Sequence, residues 1–231
     1  MLSEFNRRGI LRCARYSFMP NNLSLCGPNK NKDLFEYCRE QKIDKGLEEI
    51  LKKFQTLYPY LKLIARCSNI KNPFDEKVIE AYWIGNRLLE NITKIRLYNH
   101  LIDNHKKKAI NKISLGAKPH HSFHVLNVWN KIDDLSLADL CKISWGKIVK
   151  IDGSYLEVKY RPLVFENNRL KLGELINHKV LREINNSSFM DDFQIGQWVS
   201  FHWNFVCEIL NDIQVKNLEK YTKESISLCT I

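Results

Sequence analysis

The sequence predicts an α+β protein. An N-terminal α-helical domain over residues 1–118 precedes a small antiparallel β-barrel with a closing C-terminal helix over residues 119–231. Three observations carry this. Apolar residues recur at helical spacing up to about Ile113, and at period two beyond "LGAKP". The turn-forming pairs Asp152-Gly153 and Asn167-Asn168 punctuate the second half at intervals suited to short strands. Asn211 then supplies a helix cap before a polar-apolar pattern that runs to the end.

Taken in order, the first thirty residues read as loop, because "FMPNNLSLCGPN" holds two prolines, a glycine and three asparagines. Leu34, Phe35 and Cys38 begin a helical pattern. Leu47, Ile50, Leu51, Phe54 and Leu57, then Leu61, Ile64 and Ala65, share one stripe that Pro59 kinks or divides. "NPFDEKVIEAYWIGN" has Asn72 as cap, Pro73 at the first helical position and Gly85 or Asn86 as stop. "TKIRLYNHLIDNHKKKAINKI" adds one or two helices. Beyond it, Phe123 and Val125 alternate with His124 and Leu126, which predicts a strand. "WGKIVKI" and "SYLEVKY" form a hairpin, "RPLVFE" and "RLKLG" a second, and "NHKVLREI" and "QWVSFHWNFVCEIL" supply further strands.

Composition narrows the class. Apolar residues make up 44% of 231, enough for a sizeable core. No stretch reaches the roughly 18 apolar residues of a membrane span. Seven cysteines without an even framework, and no apolar leader behind Met1–Arg8, read as reduced thiols in a cytoplasmic protein. The net charge of +10 is uneven: residues 1–118 hold 23 Lys+Arg against 12 Asp+Glu, and residues 119–231 hold 13 against 14. A basic half suits nucleic acid, an acidic protein or an anionic small molecule, and equally a solvated surface.

Candidate chemistry is concentrated in few places. Cys13 and Cys26 flank the asparagine- and proline-rich segment, with Arg12 and Arg15 nearby to favour a thiolate or hold an anion. In "PHHSFHV", His120 and His124 share a face in either a strand or a helix, while His121 faces away in the strand. A divalent metal there needs a third ligand from Cys13, Cys26 or Cys141. The competing reading is packed thiols and hydrogen-bonded histidines. The chain holds no phosphate loop and no nucleophile elbow, so no motif demands catalysis.

Two longer stretches resemble known families. Cys141-Lys-Ile-Ser-Trp-Gly146 with its hairpin, and Gly196-Gln-Trp-Val-Ser-Phe-His202 with the strand and helix after it, are similar to the HypC/HybG/HupF chaperones of [NiFe]-hydrogenase maturation. That resemblance covers about residues 141–226. It implies an OB-like barrel, an iron with carbon monoxide and cyanide ligands held by the Cys141 thiolate near His202, and a protein partner such as the maturation scaffold or the hydrogenase large subunit. Zinc is the alternative metal. Cys141 stands inside this chain, whereas the family's cysteine is N-terminal, so another ligand must replace the α-amino group. "RCARYSFMPNNLSLCGPN", "AYWIGN" and "PHHSFHV" make the whole chain resemble a bacterial and archaeal family of unknown function.

Three functions follow as expectations. The first is a hydrogenase-maturation-like accessory protein. The second is a metal-dependent enzyme with a Cys/His site between the two halves. The third is a nucleic-acid-binding OB-type protein, disfavoured because the barrel half is slightly acidic. Under the first, the resemblance implies that Cys141 and His202 place their donor atoms roughly 4–8 Å apart. Cys13 or Cys26, His120 or His124, and Cys141 are expected to line one cleft under a folded-over N-terminal segment.

Overall fold

The computed structural model describes residues 4–128 and 134–229. Its helical region opens with α1 (Glu4–Asn22), where the sequence reads as loop. The reason is burial on nearly every side. Ile10, Cys13, Ala14, Tyr16 and Phe18 are all within 1% of complete burial, and Arg12 and Ser17 are buried too, so no single apolar stripe marks the helix. Pro20 sits inside its last turn.

The following helices are α2 (Asn31–Arg39), α3 (Lys45–Lys52), α4 (Leu57–Cys67), α5 (Glu76–Trp83) and α6 (Lys94–Asp103). The break between α3 and α4 precedes Pro59, which occupies the first turn of α4, where its missing N–H costs nothing. The cap of α5 is Asp75, accepting from Lys77 N, and Asn72 instead accepts from Phe74 N. Gly85, at φ +94°, ends this helix, with its N–H on the Glu80 carbonyl.

Residues 121–128 correct the expected strand. They form α7 (His121–Phe123) and a π-helical turn (His124–Val128), and α8 (Leu135–Cys141) comes before the first strand. Phe123, Val125, Leu126 and Asn127 are all buried, and an element buried all round shows neither period clearly.

Among the described residues nine strands follow: β1 (Ser144–Asp152), β2 (Tyr155–Tyr160), β3 (Leu163–Glu166), β4 (Arg169–Leu172), β5 (Ile176–Leu181), β6 (Glu183–Ile184), β7 (Ser187–Ser188), β8 (Trp198–His202) and β9 (Phe205–Leu210). Five of them pair in the order β1-β2-β5-β9-β8, and β1 also pairs β8, so the sheet closes on itself. It is mixed rather than antiparallel, because β5 meets β9 in parallel at Leu181 and Phe205. Asn167-Asn168, Asn185-Asn186 and Trp203-Asn204 each turn a hairpin with both residues at positive φ, the conformation that matches strand twist. Gly146 in β1 admits close packing: a Cβ there would lie 2.9 Å from the Val158 Cβ.

α9 (Asp212–Ser227) closes the chain behind a capping box between Asn211 and Gln214. The largest core cluster runs from Ile10 and Trp83 through Phe123 and Ile143 to Phe205 and Tyr221, so it crosses the 118/119 boundary. A second cluster, with Val158, Val180 and Val199, fills the closed sheet. Charge ties the halves together as well. Arg12 on α1 reaches Glu208 on β9 at 2.7 and 2.9 Å and Glu80 on α5 at 3.2 Å. Tyr16 Oη donates to the same Glu208 carboxylate at 2.5 Å.

Candidate metal centre

His121, Cys141 and His202 come together where the helical region meets the sheet. Their ligand atoms all lie within 4.8 Å of one another. Each arrives from a different element. His121 opens α7, whose cap is His120 accepting from Ser122 N at 3.2 Å. Cys141 ends α8, which Asp139 pins down by bonding Lys142 Nζ, Tyr160 Oη and Leu163 N. His202 ends β8, and the next residue, Trp203, donates its N–H to the Leu140 carbonyl at 2.9 Å. That bond docks the β8–β9 turn on the end of α8, which is why two residues 61 positions apart become neighbours. Trp203 holds φ +52°, a strained conformation for a bulky side chain, against the wall of the site.

The hydrogen bonds fix the tautomers of both imidazoles. A carbonyl can only accept, so His202 donates Nδ1–H to the Tyr16 carbonyl at 2.8 Å. Its Nε2 keeps a lone pair and is buried without a partner. His121 likewise donates Nε2–H to the Cys141 carbonyl at 2.9 Å, which leaves the lone pair on Nδ1, 3.3 Å from Tyr82 Oη. Anchoring one ring nitrogen on backbone to present the other is the usual arrangement of a metal-binding histidine.

Electrostatics keep the imidazoles neutral and the thiol protonated. Burial lowers the His202 pKa to about 4 and pushes His121 well below the usual range, with His202 adding to the effect on His121. Burial pushes Cys141 up to about 12, and the nearby Trp203 indole works the other way. Neutral histidine is the ligating form, whereas the cysteine must give up its proton to a metal. Tetrahedral bonds of 2.0–2.3 Å put ligand atoms about 3.3–3.6 Å apart, so a contraction of about 1 Å completes the site. The donors fit a divalent zinc or iron ion, which leaves a fourth position for another ligand.

That position faces a cavity of about 230 Å³. Its walls are mainly apolar, from Leu25, Phe54, Leu57, Trp83 and Trp203. The loop after α1 covers it: Asn21 holds the carbonyls of Cys26 and Pro28, and Pro20, Leu25 and Cys26 line the mouth. Cys26, His124 and Cys141 therefore line one cavity. The Nδ1 of His124 is buried without a partner.

The remaining candidate residues lie elsewhere. Cys13 is wholly buried in the main core, where burial pushes its thiol up to about 12. His120 caps α7 and stacks on Tyr221 at 5.7 Å. Arg12, expected to hold an anion, has its guanidinium paired with Glu80 and Glu208. Arg15 does not line the cavity, and burial lowers its pKa.

His121 is the candidate that sequence reasoning passes over. Pairing His120 with His124 assumes one regular element through "HHSFH". The cap at His120 and the π turn from His124 place His121 and His124, three apart, on the cavity side instead. His120 directly after Pro119, read as a cap two residues before Ser122, is the signal that could have found it.

The model of a family of unknown function, DUF6390, matches residues 5–230. No curated protein and no solved structure matches the chain. The hydrogenase-maturation resemblance receives no support from these comparisons. No helix among the described residues is long and apolar enough to cross a membrane.

Proposed function

The chain belongs to DUF6390, a family whose function is unknown, and we propose that it is a metal-dependent enzyme acting on a small molecule in the cavity above His121, Cys141 and His202. The observation that carries this reading is the trio itself: three ligand atoms within 4.8 Å, with both histidines oriented by backbone carbonyls. A zinc or iron(II) ion bound there supplies a Lewis acid at the floor of the cavity.

The chain's own groups do the rest. The apolar walls exclude water and strengthen every charge interaction inside. Tyr82 Oη, 3.3 Å from His121 Nδ1, is a hydroxyl at the edge of the open position. His124 is a neutral imidazole on the cavity wall, its pKa lowered to about 3 by burial and by Lys106 and His100, and its free Nδ1 can accept a hydrogen bond from a bound molecule.

An accessory role in carrying iron remains a second reading, favoured by the soft thiolate of Cys141 beside an imidazole. Metal analysis of protein purified without oxygen separates the two. The enzyme reading expects one zinc or iron per chain, no infrared bands of iron-bound carbon monoxide or cyanide, and loss of the metal in Cys141→Ser and His202→Ala. Those bands would support the carrier instead. Metal retained at one per chain in both variants would overturn both readings.

A further inference from the structure

A groove of about 400 Å³ runs between α4 and α6, and it shares no lining residue with the cavity above the metal centre. α4 lines it with Pro59, Lys62 and Arg66, and α6 with Arg96, Asn99 and Asp103. Both sets fall at i, i+3 and i+7, so each helix turns one face to the groove. The two helices run antiparallel. Asn91, just before α6, donates its amide to Ser68 Oγ, just after α4, at 3.2 Å, and the Tyr60 ring packs on His100 at 4.4 Å. Arg66 and Arg96 therefore share one end of the groove, Lys62 and Asn99 its middle, and Pro59 and Asp103 the other end. The Cys67 thiol reports the same pairing: burial raises its pKa, and Arg96 and Arg66 both act against that.

The positive charge here is unanswered. Among the described residues, the side chains of Arg66 and Arg96 have no ion pair or hydrogen bond, and Lys62 stands only over the Tyr58 ring at 5.2 Å. On the neighbouring α3, by contrast, Lys52 pairs with Glu48 and Glu49. Two guanidiniums at one end supply the planar donor forks that fit a phosphoryl group. His100 also lines the groove, 7% exposed, and its Nε2 is buried without a partner. The far end has a different chemistry. The Asp103 carboxylate accepts hydrogen bonds and the Asn99 amide both donates and accepts, which suits hydroxyl groups. A nucleic-acid strand, with a phosphate every ~3.4 Å along its axis, would bring a second phosphate toward Asp103. A ligand with one phosphate avoids that repulsion. The volume lies within the roughly 300–1,000 Å³ of small-molecule sites.

From this geometry we infer that the groove binds a sugar phosphate, its phosphate between Arg66 and Arg96 with Lys62 beside it, and its hydroxyls toward Asn99 and Asp103. The site is separate from the metal centre and does not depend on that reading.

The test is calorimetry on the full chain at fixed ionic strength, with ribose 5-phosphate, glucose 6-phosphate, ribose and inorganic phosphate as probes. At least one sugar phosphate should bind about tenfold or more tighter than ribose and than inorganic phosphate. Arg66→Gln combined with Arg96→Gln should weaken it about tenfold or more. Both side chains are exposed, so the urea midpoint should stay where it is. Asp103→Ala should bring the sugar phosphate within about threefold of inorganic phosphate without weakening inorganic phosphate itself. Failure of both sugar phosphates to bind, binding no tighter than inorganic phosphate, or binding undiminished in the double variant would overturn the inference. An RNA oligonucleotide that displaces the sugar phosphate and loses affinity in the same double variant would assign the face to nucleic acid, and would overturn it too.

Discussion

His202 donates its Nδ1 proton to the backbone carbonyl of Tyr16 at 2.8 Å, across 186 positions of sequence. That one bond joins α1 to β8 and turns the free Nε2 of His202 toward Cys141. The candidate site is therefore a property of the whole fold, because each half contributes what the other cannot: the helical half orients the imidazole, and the sheet half carries it.

Metal binding should release one proton. His202, lowered to about 4, and His121, held well below the usual range by burial, are already neutral, whereas Cys141, raised to about 12, is protonated at every physiological pH. Apparent zinc affinity is then expected to rise about tenfold per pH unit between pH 6 and 9. Competition titrations with a chelator of known affinity measure this. An affinity flat with pH would mean that no thiol proton is displaced.

The metal-free protein should lose stability on acidification. The folded-state pKa values of His120 and His124, both about 3, and of His202, about 4, lie below the ordinary histidine value of about 6.5. Between pH 6.5 and about 4 the unfolded chain takes up protons that the folded chain refuses. Stability present above pH 6.5 is thus lost as pH falls, by up to about 1.4 kcal/mol per unit for each histidine. Urea midpoints across this range should fall steadily. A midpoint that stays level from pH 6.5 to 4.5 would contradict the buried, neutral state of these imidazoles.

How much of this was legible in the sequence depends on whether a signal was local. Asn167-Asn168 and the Asn211 cap announce themselves through residue chemistry, and both stand where expected. Helix α1 did not, because Arg12, Tyr16 and Ser17 are buried along with its apolar residues and blur the stripe. The nearness of Cys141 and His202 came from a family resemblance that the comparisons do not support, although the geometry places the two side chains together. The cause is the Trp203–Leu140 bond, a tertiary contact with no sequence signature. His121 was missed for a related reason: a cap and a π turn shifted the register of "HHSFH".

Arg12 should matter to folding and not to ligand binding. Its guanidinium neutralises Glu208, whose side chain is 13% exposed, so Arg12→Met leaves that carboxylate nearly buried with its hydrogen bond from Tyr16 and the more distant charge of Arg15. The expected cost is about 3–5 kcal/mol in chemical denaturation. A loss below about 1 kcal/mol would show that the pair is not built into the interface.

Gly85 sets the contact between α5 and the closing helix. It holds φ +94°, and a Cβ there would lie 2.0 Å from Tyr221 Cδ2. Gly85→Ala adds backbone strain of about 1–2 kcal/mol and displaces the Tyr221 ring, which bonds the Asn86 carbonyl at 3.1 Å. A total loss above about 2 kcal/mol is expected from thermal or urea unfolding. A neutral substitution would mean that α9 packs differently against this turn.

X-ray absorption at the metal edge of the zinc- or iron-loaded protein tests the central claim most directly. One sulfur at about 2.3 Å and two imidazole nitrogens at about 2.0–2.2 Å are expected, with the sulfur shell gone in Cys141→Ser and one imidazole gone in His202→Ala. A first shell without sulfur, or one unchanged by either substitution, would contradict the assignment of His121, Cys141 and His202 as a metal centre.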